Sequence, residues 1–232
     1  MSRKTPKSTL VILTRNEITG MTALIKKIPF NQVDETLVVD FKSTDGTKEF
    51  IRKNHLRLIN QSNPGRGEAF RLAVAKAQGE HLVFFSPDGN EDPQDIPRLL
   101  DLLRQGYDLA IASRFLPQAR NEEDDQVFKF RAWANQGFTF LVNWFWDGKL
   151  SDSINGYRAI TKHAFNQLNL DAQGYVIEYQ MSIRALKLGL KIAEIPTREG
   201  NRLGGQSGSL AIPTGLLFIK YLLREIFIQA KV

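Results

Sequence analysis

The sequence predicts an α/β fold, a mainly parallel sheet with helices on both faces, and three observations carry that expectation. Short continuous apolar runs such as Ser8–Thr14, Glu35–Asp40 and His81–Phe85 read as strands covered on both faces, since a half-exposed strand would alternate polar with apolar residues. Each run ends in a polar or glycine-bearing cluster and leads into a stretch of helical character, so strands and helices alternate. The length, 232 residues, suits one such domain with a C-terminal appendage.

Taken in order, Ser8–Thr14 delivers Arg15, Asn16 and Glu17 to a loop, and a helix follows over about residues 19–27. Glu35–Asp40 closes on Ser43, Thr44, Asp45, Gly46 and Thr47, side chains that turn the backbone and cap free helical N–H groups. A helix over 48–54 leads to a strand over 56–60, after which Pro64, Gly65, Arg66 and Gly67 open a helix over 68–78. His81–Phe85 then delivers Ser86, Pro87, Asp88, Gly89, Asn90, Glu91, Asp92 and Pro93; a helix over 96–105 and a strand over 108–112 complete the repeats. Residues 116–125 read as an acidic surface loop. Residues 127–147 carry Phe128, Phe130, Trp133, Phe138, Phe140, Leu141, Trp144, Phe145 and Trp146, a helix apolar on more than one face, suited to a core position or to the wall of a lipid-chain site. The segment 216–228 holds only Lys220, Arg224 and Glu225 as charges, and reads as an amphipathic helix that lies in a membrane interface or packs on the domain or a second subunit. The expected division is a core domain over 1–209 and a helical tail over 210–232.

Composition removes several chemistries. Without cysteine there is no disulfide, thiolate metal site or thiol nucleophile, and His55, His81 and His163 lack the spacing of a zinc site. The net charge of +6 points to an anionic partner, a phosphorylated metabolite or an anionic membrane face, whereas no aromatic-basic repeat supports nucleic acid. No apolar leader or membrane span is visible, so the expected location is cytoplasmic, with a peripheral place on the membrane face open.

In parallel sheets, ligands bind beyond the carboxyl ends of the strands, where the clusters after the first, second and fourth strands all fall. Gly65-Arg66-Gly67 fails the dinucleotide fingerprint, because position 70 is Phe and the next strand ends in Phe85-Ser86; it remains a place for a phosphate at a helix N-terminus, or a structural turn. Asp88 and Asn90, two residues apart, can turn oxygens toward one hard cation, or simply form a turn.

The motifs Asn16-Glu17, Asp40 with Ser43-Thr44-Asp45-Gly46-Thr47, Gly65-Arg66-Gly67, Ser86-Pro87-Asp88-Gly89-Asn90 and Ala112-Ser113-Arg114-Phe115 occur together in the order found in inverting GT-A glycosyltransferases of family 2. Arg131, Asp152 with Gly156-Tyr157-Arg158-Ala159, Glu178, Glu194-Ile195-Pro196 and Arg202 with Gly205 and Ser207 continue the match over residues 8–209. The chain most resembles the dolichyl- or polyprenyl-phosphate mannosyltransferase branch. That resemblance implies a Rossmann-like GT-A fold and transfer of a hexose, of mannose or glucose type, from a GDP- or UDP-sugar to a polyprenyl phosphate or another glycan acceptor. It implies a nucleotide-sugar site at Thr14, Asn16, Glu17, Asp40, Ser43, Arg66, Ser86, Asp88 and Arg202, with Asp40 on the base or ribose. It also implies Mg2+ or Mn2+ at Asp88 and Asn90, although Ser86 stands where the first acid of Asp-x-Asp is expected. Arg114 and Arg131 are implied to contact the acceptor phosphate or the diphosphate. Asp152 is the base to be named if the acceptor is a hydroxyl. Because of Ser86, a noncatalytic nucleotide-sugar-binding module is the alternative. A homo-oligomer is compatible with the sequence.

Overall fold

The computed structural model describes residues 7–121, 130–204 and 211–228. The acidic run at 122–125, Phe128, Gly205 and Ser207 lie outside the described residues.

The alternation read from the sequence forms β1 (Ser8–Thr14), α1 (Ile18–Leu24), β2 (Glu35–Asp40), α2 (Thr47–Lys53), β3 (Arg57–Asn60), α3 (Arg66–Lys76), β4 (His81–Phe85), α4 (Asp95–Arg104) and β5 (Leu109–Ser113). The aromatic-rich stretch forms α5 (Phe130–Trp146). Besides a 3-10 turn at Phe30–Gln32, four elements were not foreseen: β6 (Arg158–Thr161), α6 (Lys162–Leu168), α7 (Ile177–Lys187) and β7 (Ile192–Pro196). β6 is four residues long and opens on an arginine, while β7 carries Glu194 and ends in proline, so neither has a continuous apolar run. The last helix, α8, is Ala211–Phe227.

The seven strands lie in the order β3-β2-β1-β4-β6-β5-β7. β1 pairs in parallel with β2 on one side and β4 on the other, so the chain reverses its direction of travel across the sheet at β1. A crevice opens at such a reversal beyond the carboxyl ends of the two strands. β6 is antiparallel to both β4 and β5, which brings its amino end, and the loop 151–157 before it, to the same edge. β7 runs parallel to β5 and delivers residues 197–204 there too.

Alternate strand residues feed two cores. Leu10, Ile12, Val38, Val83 and Phe85 pack with Met21, Ile51 and Leu99 on one face. Val11, Leu13, Leu37, Val39, Leu82 and Phe84 pack with Phe70, Phe165, Tyr179, Phe218 and Leu222 on the other. Each such side chain contributes about 1.5–3 kcal/mol by leaving water. The C-terminal helix is therefore built into the core.

Helix α8 is held to α7 by charge as well as by packing. Glu225 is fully buried and accepts hydrogen bonds from Arg184 Nε and Nη2 at 2.9 and 2.8 Å, Lys187 Nζ at 2.9 Å and Gln180 Nε2 at 3.0 Å. Burial pushes its carboxyl up, yet the hydrogen bonds from Arg184, Gln180 and Lys187 outweigh it and hold the group below its ordinary range. Glu225→Ala leaves Lys187 without its carboxylate partner and Arg184 with only the longer carboxylate contact, to Asp171 at 3.4 Å, and is expected to cost about 3–5 kcal/mol in urea unfolding; a loss below about 1 kcal/mol would show the cluster contributes no more than a surface pair.

Candidate active site

A cavity of about 450 Å3 opens at the β1–β4 reversal and extends between α5 and α8. Thr14, Arg15 and Glu17 line it from the end of β1, Phe41 from β2, Arg66 from α3, Ser86, Asp88, Asn90 and Glu91 from β4, and Arg114 from β5. Phe130, Arg131 and Phe138 of α5, Ile154, Tyr175, Glu178 of α7, and Thr214, Gly215 and Phe218 of α8 complete the opposite wall.

Asp40 organises the first two loops from beneath. It is buried, and its carboxylate accepts Thr14 Oγ1 at 3.0 Å, the Ser43 N–H at 3.0 Å and the Ser43 hydroxyl. The Ser43 hydroxyl accepts the Asn16 N–H at 2.8 Å, while Asn16 Oδ1 accepts the Thr44 N–H at 2.9 Å. Asn16 takes φ 58°, a left-handed conformation that asparagine tolerates better than most residues. The loops after β1 and β2 are thus clasped together, and Phe41 is left facing the cavity with Arg15 and Lys42 each within 6 Å of its ring centre, at 5.4 and 5.6 Å.

The loop after β4 is clasped in turn by the segment after β7. The Leu203 N–H donates to Asp88 O at 2.8 Å and the Gly200 N–H to Asn90 O at 2.9 Å. Gly89 sits between them at φ 99°, where a Cβ would come within 2.6 Å of Leu203 Cγ, so only glycine fits. Arg202 bridges two acids, donating to Asp88 Oδ2 at 2.8 Å and to Glu17 Oε1 at 3.1 Å. Burial first, then Asp88 and Asp45, raise the Glu17 carboxyl to about 7 against the pull of Arg202. Glu91 accepts the Ser86 N–H at 2.7 Å, and burial beside Asp88 holds its proton well above the ordinary carboxyl range.

Two arginines are aimed by buried carboxylates. Arg66 Nε donates to Glu178 Oε1 and its Nη1 to Ser86 Oγ at 3.3 Å. Gly156 makes room for that pair, because a Cβ there would strike both the guanidinium and the carboxylate. The other oxygen, Glu178 Oε2, is buried with no hydrogen-bond partner among the described residues. Arg114 donates to Asp152 Oδ2 and Oδ1 at 2.7 and 3.0 Å, a bidentate pair, with Glu199 at 3.8 Å.

Of the residues singled out from sequence, Thr14, Glu17, Arg66, Ser86, Asp88, Asn90, Arg114, Arg131 and Arg202 reach the cavity wall. Asn16, Asp40 and Ser43 lie behind it, joining the first two loops. Asp40, expected at the base or ribose, is 1% exposed, with its oxygens taken up by Thr14 and Ser43. Asp152, expected as the base for a hydroxyl acceptor, is held inside the fold. It has no exposed surface, accepts from Arg114 and from the Ile154 and Asn155 N–H groups, and Arg114 holds its carboxyl below the usual range despite burial. Its task is to position Arg114. Sequence reasoning gave no role to Phe41, Glu91, Glu178 or Glu199; Glu91 directly follows the Asp88–Asn90 cluster, whereas Glu178 lies on α7, a helix not foreseen, and Glu199 in the segment after β7.

Among the described residues no group of three His, Asp or Glu side chains is arranged to chelate a metal. A hard cation such as Mg2+ nevertheless takes one or two carboxylates when substrate phosphates complete its shell. Asp88 meets that requirement, and the Arg202 guanidinium on its Oδ2 shows that this oxygen faces a position where positive charge is accommodated.

The raised Glu17 carboxyl has a pH signature. The folded chain keeps this proton until about 7, whereas the unfolded chain gives it up near the ordinary value of 4.5, so the group's contribution to stability is present below 4.5 and lost as pH rises to 7. Glu17→Gln is expected to gain on the wild type in urea midpoint across that interval and to keep a constant lead above it. A difference that does not change with pH would contradict the shift.

The family profile for "Glycosyl transferase family 2" matches residues 9–168. Glycosyltransferase AglJ of Haloferax volcanii is 29% identical over 214 residues, covering 89% of this chain and 67% of AglJ. An undecaprenyl-phosphate mannosyltransferase of Micrococcus luteus is 29% identical over 212 residues, covering 85% of each chain. Among solved structures, glucosyl-3-phosphoglycerate synthase from Mycobacterium tuberculosis, crystallised with Mn2+, UDP and glucosyl-3-phosphoglycerate, superposes with a TM-score of 0.76 at 22% identity, covering 96% of this chain and 81% of that one; the likeness is one of fold. With the profile spanning most of the sheet and both relatives covering most of the chain, the protein belongs to glycosyl transferase family 2 and is a glycosyltransferase.

Proposed function

We propose that the protein transfers a hexose from a nucleoside diphosphate sugar, GDP- or UDP-linked, to a polyprenyl-type lipid phosphate at the cytoplasmic face of a membrane. The carrying observation is the composition of one cavity: acids and arginines at the β1–β4 end, and Phe130, Phe138, Ile154 and Phe218 at the α5–α8 end. The polar end suits a nucleotide diphosphate and the apolar end an isoprenyl chain, with Arg114 and Arg131 between the two classes of contact. Phe41, flanked by Arg15 and Lys42, offers a flat surface to the nucleobase.

In this reading a phosphate oxygen of the acceptor attacks the anomeric carbon in line. The bond from that carbon to the diphosphate oxygen breaks, and the nucleoside diphosphate leaves with the electron pair. A phosphate is already anionic at neutral pH, so no side chain has to remove a proton. The protein's part is to orient the two phosphates and to offset their charge, for which bidentate guanidinium groups are suited. Arg66, aimed by Glu178, faces the donor end, and Arg114, fixed by Asp152, faces the acceptor. Arg202 is placed to exchange its carboxylate partners for the diphosphate. Bound Mg2+ or Mn2+ would be held by Asp88 with Asn90 and would supply Lewis-acid stabilisation to the leaving diphosphate.

The test is transfer from GDP-mannose and UDP-glucose to a polyprenyl phosphate, with and without Mn2+. Asp88→Ala is expected to lower turnover by about a hundredfold or more. Arg131→Ala is expected to raise the KM for the lipid phosphate more than that for the donor. Nucleotide-sugar binding with no transfer to any lipid phosphate or glycan would overturn the proposal in favour of a noncatalytic binding module.

A further inference from the structure

Helices α5 and α8 each carry a buried apolar face and a second, exposed one. On α8, Leu216, Ile219, Leu223 and Phe227 follow at steps of three, four and four, so they form one stripe, while Phe218, Leu222 and Glu225 face inward. Phe227 is 83% exposed and Leu216 63%. On α5, Trp133, Phe140 and Trp144 form the corresponding stripe, with Trp144 73% exposed, while Ala132, Thr139 and Val142 are buried. The two helices pack side by side, with Phe138 of one meeting Phe218 of the other edge to face at 5.2 Å between ring centres. Both stripes are exposed aromatic or aliphatic surface on neighbouring helices.

We propose that this surface docks in the plane of an anionic lipid bilayer. Charge selects the occupant. Arg131 is the only charged residue of α5, and α8 carries Lys220, Arg224 and Glu225, of which Glu225 is buried. Arg224 is paired with Asp171; the two helices otherwise expose Arg131 and Lys220 and no acid of their own, with Lys220 on the same stripe as Leu216 and Leu223. A second copy of this face would set those cations against their like, whereas anionic headgroups complement them. Tryptophan and phenylalanine with flanking lysine and arginine are the residues that settle at the boundary between headgroups and acyl chains. No described helix is long and apolar enough to cross a membrane, so the contact is one of lying on the bilayer.

The surface is continuous with the cavity. Phe130, 63% exposed, also lines the cavity, as do Gly215 and Phe218 beside the α8 stripe. Docking would seat the apolar end of the cavity against the acyl region and its arginines at headgroup level. That consequence rests on the lipid-phosphate reading above; the docking itself does not.

The experiment is flotation of the full chain with vesicles of phosphatidylcholine alone and of phosphatidylcholine containing phosphatidylglycerol. Wild type is expected to float with the anionic vesicles, its tryptophan emission quenched by brominated acyl chains. The combined substitution Trp144→Ser, Leu223→Ser and Phe227→Ser is expected to lower the bound fraction about tenfold or more, with circular dichroism unchanged. Lys220→Glu should weaken binding to anionic vesicles only. Absence of wild-type flotation, or binding unchanged by the triple substitution, overturns the proposal, and a dimer dissolved by that substitution without vesicle binding would assign the face to a second copy. Transfer to a short-chain, water-soluble lipid phosphate separates the two readings: loss of flotation with transfer retained supports docking beside an intact enzyme, and face-dependent flotation without transfer to any acceptor leaves docking standing while the transferase reading fails.

Discussion

The placement of β4 beside β1, on the side away from β2, is the constraint from which the rest of the site follows. Had the chain continued in one direction across the sheet, the loops after β1 and β4 would not be neighbours at the carboxyl edge. Because it turns back, Glu17 and Asp88 come close enough for one guanidinium to bridge them. Each acid raises the proton affinity of its neighbours, and Glu17 and Glu91 feel Asp88 as well as burial. The arginines are what make such a cluster tolerable in a folded protein, since buried charge without a partner costs several kcal/mol, on the order of 3–5.

The antiparallel strand β6 is the second determinant. Reversing one strand brings the segment before it to the edge where parallel strands end, so the loop 151–157 takes part in the site. Asp152 and Gly156 act there without touching the cavity's contents in the same way. Asp152 fixes a guanidinium, and Gly156 contributes the empty volume in which Arg66 and Glu178 meet. Positioning by burial and positioning by absence of a side chain serve the same end.

Much of the first half of the fold was legible in the sequence, because buried parallel strands announce themselves as continuous apolar runs and their loops carry the polar residues. The strands Ser8–Thr14, Glu35–Asp40 and His81–Phe85 stand at the boundaries the apolar runs predict. The second half was harder to read. β6 and β7 are short and interrupted by charge or proline: β6 is paired on both sides, by β4 and β5, and β7 is an edge strand beside β5, where a proline is tolerated. Polar residues also looked alike from sequence whether they face the cavity or hold the loops: Asp40 and Asp88 both follow apolar strands, and only burial and partners separate the clasp from the wall. Glu178, on a helix the apolar pattern did not announce, became visible only when packing brought it to Arg66.

The cavity wall extends beyond the stretch that defines the family. The matched segment ends at residue 168, yet Tyr175, Glu178, Glu199, Arg202, Thr214 and Phe218 all line the cavity. The sheet and its first loops are load shared by every strand contact, so substitutions there disturb folding and chemistry together. Helix α8, by contrast, meets the rest through one face and one ion cluster, and presents the cavity with residues from a single turn and its neighbours. On the proposed function, the wall that would meet the acceptor can therefore be rewritten in part by changes confined to the last helix. A fold of this kind separates the inheritance of its reaction from that of its clientele.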